Sequence, residues 1–165
     1  MWLYVVIQAA SCVNCKRFSF FKHNRKGINM LRSQVREEIF KIIFRYPFNN
    51  AEEMDEQLEF SLDELEGKSD KNINYIRDKV KDITVNIDEI DSCISDNCEG
   101  WSIGRIGKAE LAIMRIAVYE MMFEEDVPGS VAINEAVELT KIYCDEDAKG
   151  FVNAVLGKIA KKIGE

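Results

Sequence analysis

Val131-Ala132-Ile133-Asn134-Glu135-Ala136-Val137-Glu138-Leu139 decides how this chain folds. Its apolar residues return at three- and four-residue steps, the repeat of one helical face, and no strand-like alternation competes. Asn134 and Glu135 sit in the first turn of this amphipathic helix. Polar groups at that place are suited to inter-helix hydrogen bonds that fix how neighbouring helices meet. Just before it, Pro128-Gly129-Ser130 turns the chain, and Ser130 is placed to cap the helix.

Working outward, the same spacing recurs along most of the chain. Upstream, Ile106 to Phe123 carries Leu111, Met114, Ala117, Val118, Met121 and Met122 and is apolar over most of its surface. Such a helix belongs at the centre of a bundle. Glu99 to Gly104 reads as a loop that buries Trp101. Residues 71–98 hold a long stripe of Ile73, Ile76, Val80, Ile83, Ile87, Ile90 and Ile94, divisible near Thr84–Asn86 into two helices. Residues 51–66 are strongly acidic but keep Met54, Leu58, Leu62 and Leu65 at helical spacing, and Gly67 breaks that helix. From Met30, Leu31, Val35, Ile39, Ile42 and Ile43 predict a first helix ending near Tyr46-Pro47, because proline lacks the amide donor. Downstream, Asp145-Glu146-Asp147 precedes a final helix, where carboxylates favour the positive end of the dipole. The expectation is an all-α fold of about seven helices in two packed lobes.

Composition narrows the function. The chain has 165 residues, 47% of them hydrophobic, enough for a core, with only two prolines. Five irregularly spaced cysteines read as reduced thiols of a cytoplasmic protein. The net charge of −7 is uneven: residues 14–45 carry nine Lys/Arg against Glu37 and Glu38, so the remainder is strongly acidic. A basic arm on an acidic body points toward RNA at one end and a basic protein elsewhere, or toward a solvated helix face. Residues 1–29 read as a leader outside the fold. Their apolar opening is too short to span a bilayer and lacks the basic residues that should precede a signal's apolar run, so no membrane association is expected.

No catalytic constellation emerges. The sole histidine, His23, lies in the leader, as does Cys12-Val13-Asn14-Cys15, which has no second pair to complete a metal site. The glycines around Gly104 and Gly107 lack a phosphate-loop pattern. No enzyme activity, cofactor or metal is expected. The binding signals are better. Arg32, Arg36 and Lys41 fall near one side of the first helix and with Arg45 form a basic stripe suited to phosphate, or equally to surface salt bridges. Phe151 opens the last helix beside Lys149, where an aromatic with a neighbouring cation can stack an unpaired base or can belong to the core.

Three blocks in order resemble the NusB family of transcription antitermination factors: Gly104 to Glu120, Val131 to Leu139, and Phe151-Val152-Asn153-Ala154-Val155-Leu156-Gly157-Lys158. The likeness begins at Met30, so residues 30–165 form the family-like domain. It implies a non-enzymatic factor that binds boxA RNA with the ribosomal protein NusE during ribosomal RNA transcription. Other Nus factors and RNA polymerase would be engaged indirectly. Some members self-associate, so a homodimer is also open. Arg32 and Arg36 match the family's arginine-rich segment, while Ser33 and Gln34 stand where it has cations. Phe151 matches an aromatic of the RNA site, Phe44 an N-terminal aromatic, and Glu110 and Asp147 acids of the NusE face. A helical adaptor that has lost RNA recognition is the alternative, kept open by the depleted arginine segment.

Overall fold

A computed structural model describes residues 28–46, 51–65, 67–98 and 102–164. Seven α-helices lie among them: α1 (Arg32–Ile43), α2 (Ala51–Asp63), α3 (Asp70–Val85), α4 (Ile87–Asn97), α5 (Lys108–Phe123), α6 (Gly129–Tyr143) and α7 (Ala148–Ile163). A 3-10 turn, Ile103–Arg105, leads into α5. The predicted all-α architecture is what forms. The leader through Gly27, Pro47 to Asn50, and Trp101 lie outside the described residues.

Burial explains the arrangement. Every residue of α5 from Leu111 to Met121 is buried, so it must be surrounded. It packs on α1 and α3 to one side and on α4, α6 and α7 to the other. The two lobes therefore share α5, and their apolar side chains make one continuous core. The acidic α2 turns Met54, Leu58 and Leu62 inward and leaves Glu53, Asp55, Glu56 and Glu59 outside. No helix among the described residues is long and apolar enough to cross a membrane.

The helix ends follow local chemistry. Asn86 divides α3 from α4: its side chain and its amide both donate to the Asp82 carbonyl, at 2.8 and 3.1 Å, and α4 starts at once. Gly67 and Gly164 adopt φ of 96° and 101°, the left-handed turn that ends helices without a Cβ clash. Two expectations need correction. Leu31 precedes α1 and is 68% exposed, so the buried stripe starts at Val35. Ser130 is not the cap of α6, because the helix begins at Gly129 and the Pro128 carbonyl receives the amides of Val131 and Ala132.

Candidate nucleic-acid and partner interface

The basic residues of α1 do not form one solvent-facing stripe. Arg32 is exposed and forms no ion pair among the described residues. One turn on, Arg36 is only 6% exposed. Its Nε donates to both oxygens of Glu120 on α5, at 2.8 and 3.1 Å, and its Nη1 lies 3.5 Å from Glu135 of α6. Lys41 is half-buried, with its ammonium 2.9 Å from Glu38 and 3.4 Å from Glu37. Burial alone would lower its pKa, but those two carboxylates outweigh it and the net shift is upward. Arg45 donates to Ser61 and Gln57 of α2. The four were expected side by side because helical spacing was the only guide. Packing of α5 and α6 against α1 separates them.

Arg36 belongs to a larger buried network that spacing alone did not point to. Lys79 of α3, itself buried, donates to Glu120 at 2.6 Å, to Glu124 at 3.1 Å and to the Tyr75 hydroxyl at 3.2 Å. Glu120 is 1% exposed and holds both cations. A carboxylate at that depth is tolerable only because paired, hydrogen-bonded cations replace its hydration. The network ties α1, α3, α5 and α6 together. Glu135 thus has the inter-helix role expected of it, whereas Asn134 is exposed.

A second cluster forms where α5 begins and α6 turns into α7. Lys141, Cys144, Asp145, Glu146 and Lys149 line a hollow of about 370 Å3. Glu110, half-buried, lays its carboxylate back over Gly107, where a Cβ would collide with it. Burial, then the negative charges of Glu110 and Asp145, push the Cys144 thiol up to about 12. Asp147 and Lys149 are exposed there, and Phe151 is half-buried against the core with part of its ring surface outside. Lys41 lies on the flank: Glu37 accepts the Tyr143 hydroxyl at 2.6 Å, and Phe40 packs on Tyr143 at 4.6 Å. The structure therefore gathers Glu110, Asp147, Lys149 and Phe151 at one end, with Lys41 beside them. Arg32 stands at the far end of α1, and Arg36 is inside.

An all-helical binding module with a charge-paired centre and a mixed acidic, basic and aromatic end is the class these features define. The NusB family model matches residues 33–161, and the chain belongs to that family. It is 44% identical to the transcription antitermination protein NusB of Agathobacter rectalis over 79% of this chain and 100% of that one. Against the corresponding protein of Acetivibrio thermocellus it is 39% identical, covering 80% of this chain and 90% of the relative. Among solved structures, T. maritima NusB superposes with a TM-score of 0.75 at 35% identity, over 82% of this chain and 94% of that one. A crystal structure of antitermination factors NusB and NusE in complex with double-stranded RNA matches with a TM-score of 0.68 at 29% identity, over 81% and 99%.

Proposed function

We propose that this chain acts as an antitermination factor that binds boxA-type RNA together with a NusE-like small-subunit ribosomal protein during ribosomal RNA transcription. The observation that carries this reading is its likeness along 99% of a NusB chain solved with NusE and RNA. The partner would meet Glu110 and Asp147, since carboxylates at that end complement a basic ribosomal protein. RNA would meet Lys149 and Phe151, with Lys41 on the flank and Arg32 beyond. Arg36 would serve by holding α1 in place rather than by touching phosphate, because its guanidinium is already engaged by Glu120 and Glu135.

One observation favours the adaptor reading: Arg36 and Lys41 both spend their charge on internal carboxylates. Anisotropy of a labelled single-stranded boxA RNA, with the full chain and the purified ribosomal partner, separates the two. The factor is expected to bind weakly alone and more tightly with its partner. Phe151→Ala should then cost roughly 1–3 kcal/mol of RNA affinity. No association of the two proteins at micromolar concentration in low salt would reject the partner. RNA affinity untouched by Phe151→Ala and by Arg32→Ala would leave the adaptor.

A further inference from the structure

A cleft lies away from the α6–α7 turn, at the opposite end of α6. It holds about 600 Å3 between the first turns of α1 and α3 and the loop that joins α5 to α6. One wall carries Arg32, Lys71 and Asn72, and the other carries Phe123, Glu125 and Asp126. Arg36 and Glu120 reach it from below, already paired to each other. Arg32 and Lys71 are both exposed, and neither has an ion-pair partner among the described residues. The cleft's free cations thus stand on one side and its free carboxylates on the other.

Two further features point to what would fill it. The Asn72 amide nitrogen is buried and has no acceptor. A buried donor left unpaired is costly, so a ligand acceptor here would relieve it. At the lips, Phe123 and Tyr75 are 41% and 45% exposed, an aromatic surface that the core does not use. A ligand matching all four features has an anionic group, a planar ring, a ring acceptor and ring amine donors. We propose that this cleft is a second RNA subsite that takes one unpaired nucleotide, with its phosphate at Arg32 and Lys71 and its base against Phe123. An exocyclic base amine would then face Glu125 and Asp126, since carboxylates accept from such donors.

The placement suits an extended strand. α6 has 15 residues, so it separates the cleft from the Lys149–Phe151 end by about 22 Å. α1 lies along that path, with Arg36 beside Glu135 and Phe40 beside Tyr143. A single strand several nucleotides long could occupy both ends at once. This subsite rests on the RNA reading above, and it adds Lys71, Asn72 and Phe123 to the surface.

The test uses the full chain with its ribosomal partner, single-stranded RNA and the variants Lys71→Ala and Phe123→Ala. Both positions are solvent-exposed, and matched thermal melts verify that the fold is kept. Lys71→Ala should lower the salt slope of binding by somewhat under one unit, the share of one single-strand phosphate. Phe123→Ala should weaken RNA roughly tenfold. An abasic position scanned along the RNA should find one place whose loss is large in the parent protein and absent in Phe123→Ala. If Phe151→Ala weakens RNA binding while both new variants leave affinity and salt slope unchanged, this subsite falls and the RNA reading stands. If the parent protein binds no RNA even with its partner, both fall. Two other outcomes overturn the subsite alone. Cytidine monophosphate binding as tightly as the oligomer would make the cleft a free-nucleotide site. Loss of ribosomal-protein affinity in the variants without RNA present would make it a protein-docking site.

Discussion

Arg36 and Lys79, inside the junction of the lobes, contrast with Arg32 and Lys71 on the rim a turn or two away. The residue types are the same and the helices are the same. Inside, Glu120 has collected both cations, and the cost of burial is offset only while all three stay paired. On the rim, solvent hydrates the charge, and no described carboxylate claims it. The difference teaches that a cation's role here is set by what faces it from another helix. Buried cations hold the lobes together, and rim cations stay hydrated without an ion pair among the described residues.

Removing Glu120 should break this contrast most severely. Glu120→Ala strands Arg36 and Lys79 without their shared counter-ion, and loss of one partner of a buried pair costs about 3–5 kcal/mol. For a chain of this size that is a fall of roughly 6–20 °C in melting temperature. Arg36→Ala should cost less, about 3 kcal/mol, because Lys79 still neutralises Glu120. Arg32→Ala should leave stability within about 0.5 kcal/mol, as expected of an exposed side chain. Its effect belongs in the RNA salt slope. Equal melting shifts for Arg32→Ala and Arg36→Ala would erase the distinction.

Alkaline pH tests the same network without mutation. Burial works against the Lys79 ammonium, but Glu120, Tyr75 and Glu124 outweigh it and raise its pKa. Burial and the nearby Asp82 also raise the Tyr119 hydroxyl. Both groups hold their protons more tightly when folded than when unfolded. Their contribution is therefore complete below about pH 10, near the unfolded values, and is lost as pH rises through the raised folded ones. Urea unfolding at stepped pH should show stability declining beyond that point. The decline should be shallower in Glu120→Gln, which removes the largest charge holding the Lys79 proton.

Much of this was legible in the sequence, because helical spacing is a local property. The stripes of Met54, Leu58 and Leu62, and of Ile76, Val80 and Ile83, lie buried as their spacing predicts. The division of α3 from α4 near Asn86 was readable too. A signal for the network was present but is easily passed over. Arg36 lies three and four residues before Ile39 and Phe40, Lys79 lies three after Ile76, and Glu120 sits within a largely apolar helix. Charges of both signs on apolar faces of separate helices announce an internal pair, since neither could be buried alone. What spacing could not give is which helix faces which. Arg32, Lys71 and Asp126 come together only through the packing of α1, α3 and the α5–α6 loop. The basic stripe of α1 failed as a unit for that reason.

Among the ion pairs, the smallest effect is expected at the outer one between α2 and α3, which isolates burial as the variable. Arg77 grips Glu59 through two hydrogen bonds of 3.1 and 3.0 Å, a geometry as good as that of Arg36 on Glu120. The hydrogen bonds from Arg77 hold the Glu59 carboxyl below its usual range, with burial opposing weakly. A depressed carboxylate contributes above the unfolded value near pH 4 and loses that contribution as pH falls through the folded one. Yet Glu59 is exposed, so water and salt screen the attraction and the side chains give up rotamer freedom to make it. Glu59→Ala should cost no more than about 1 kcal/mol at neutral pH, less in high salt, and progressively less as pH falls below about 4. Urea titrations of Glu59→Ala and Glu120→Ala in low and high salt make the comparison direct. If the Glu59 variant loses as much stability as the Glu120 variant, good geometry rather than burial governs ion-pair strength in this molecule, and the division between interior and rim cations loses its basis.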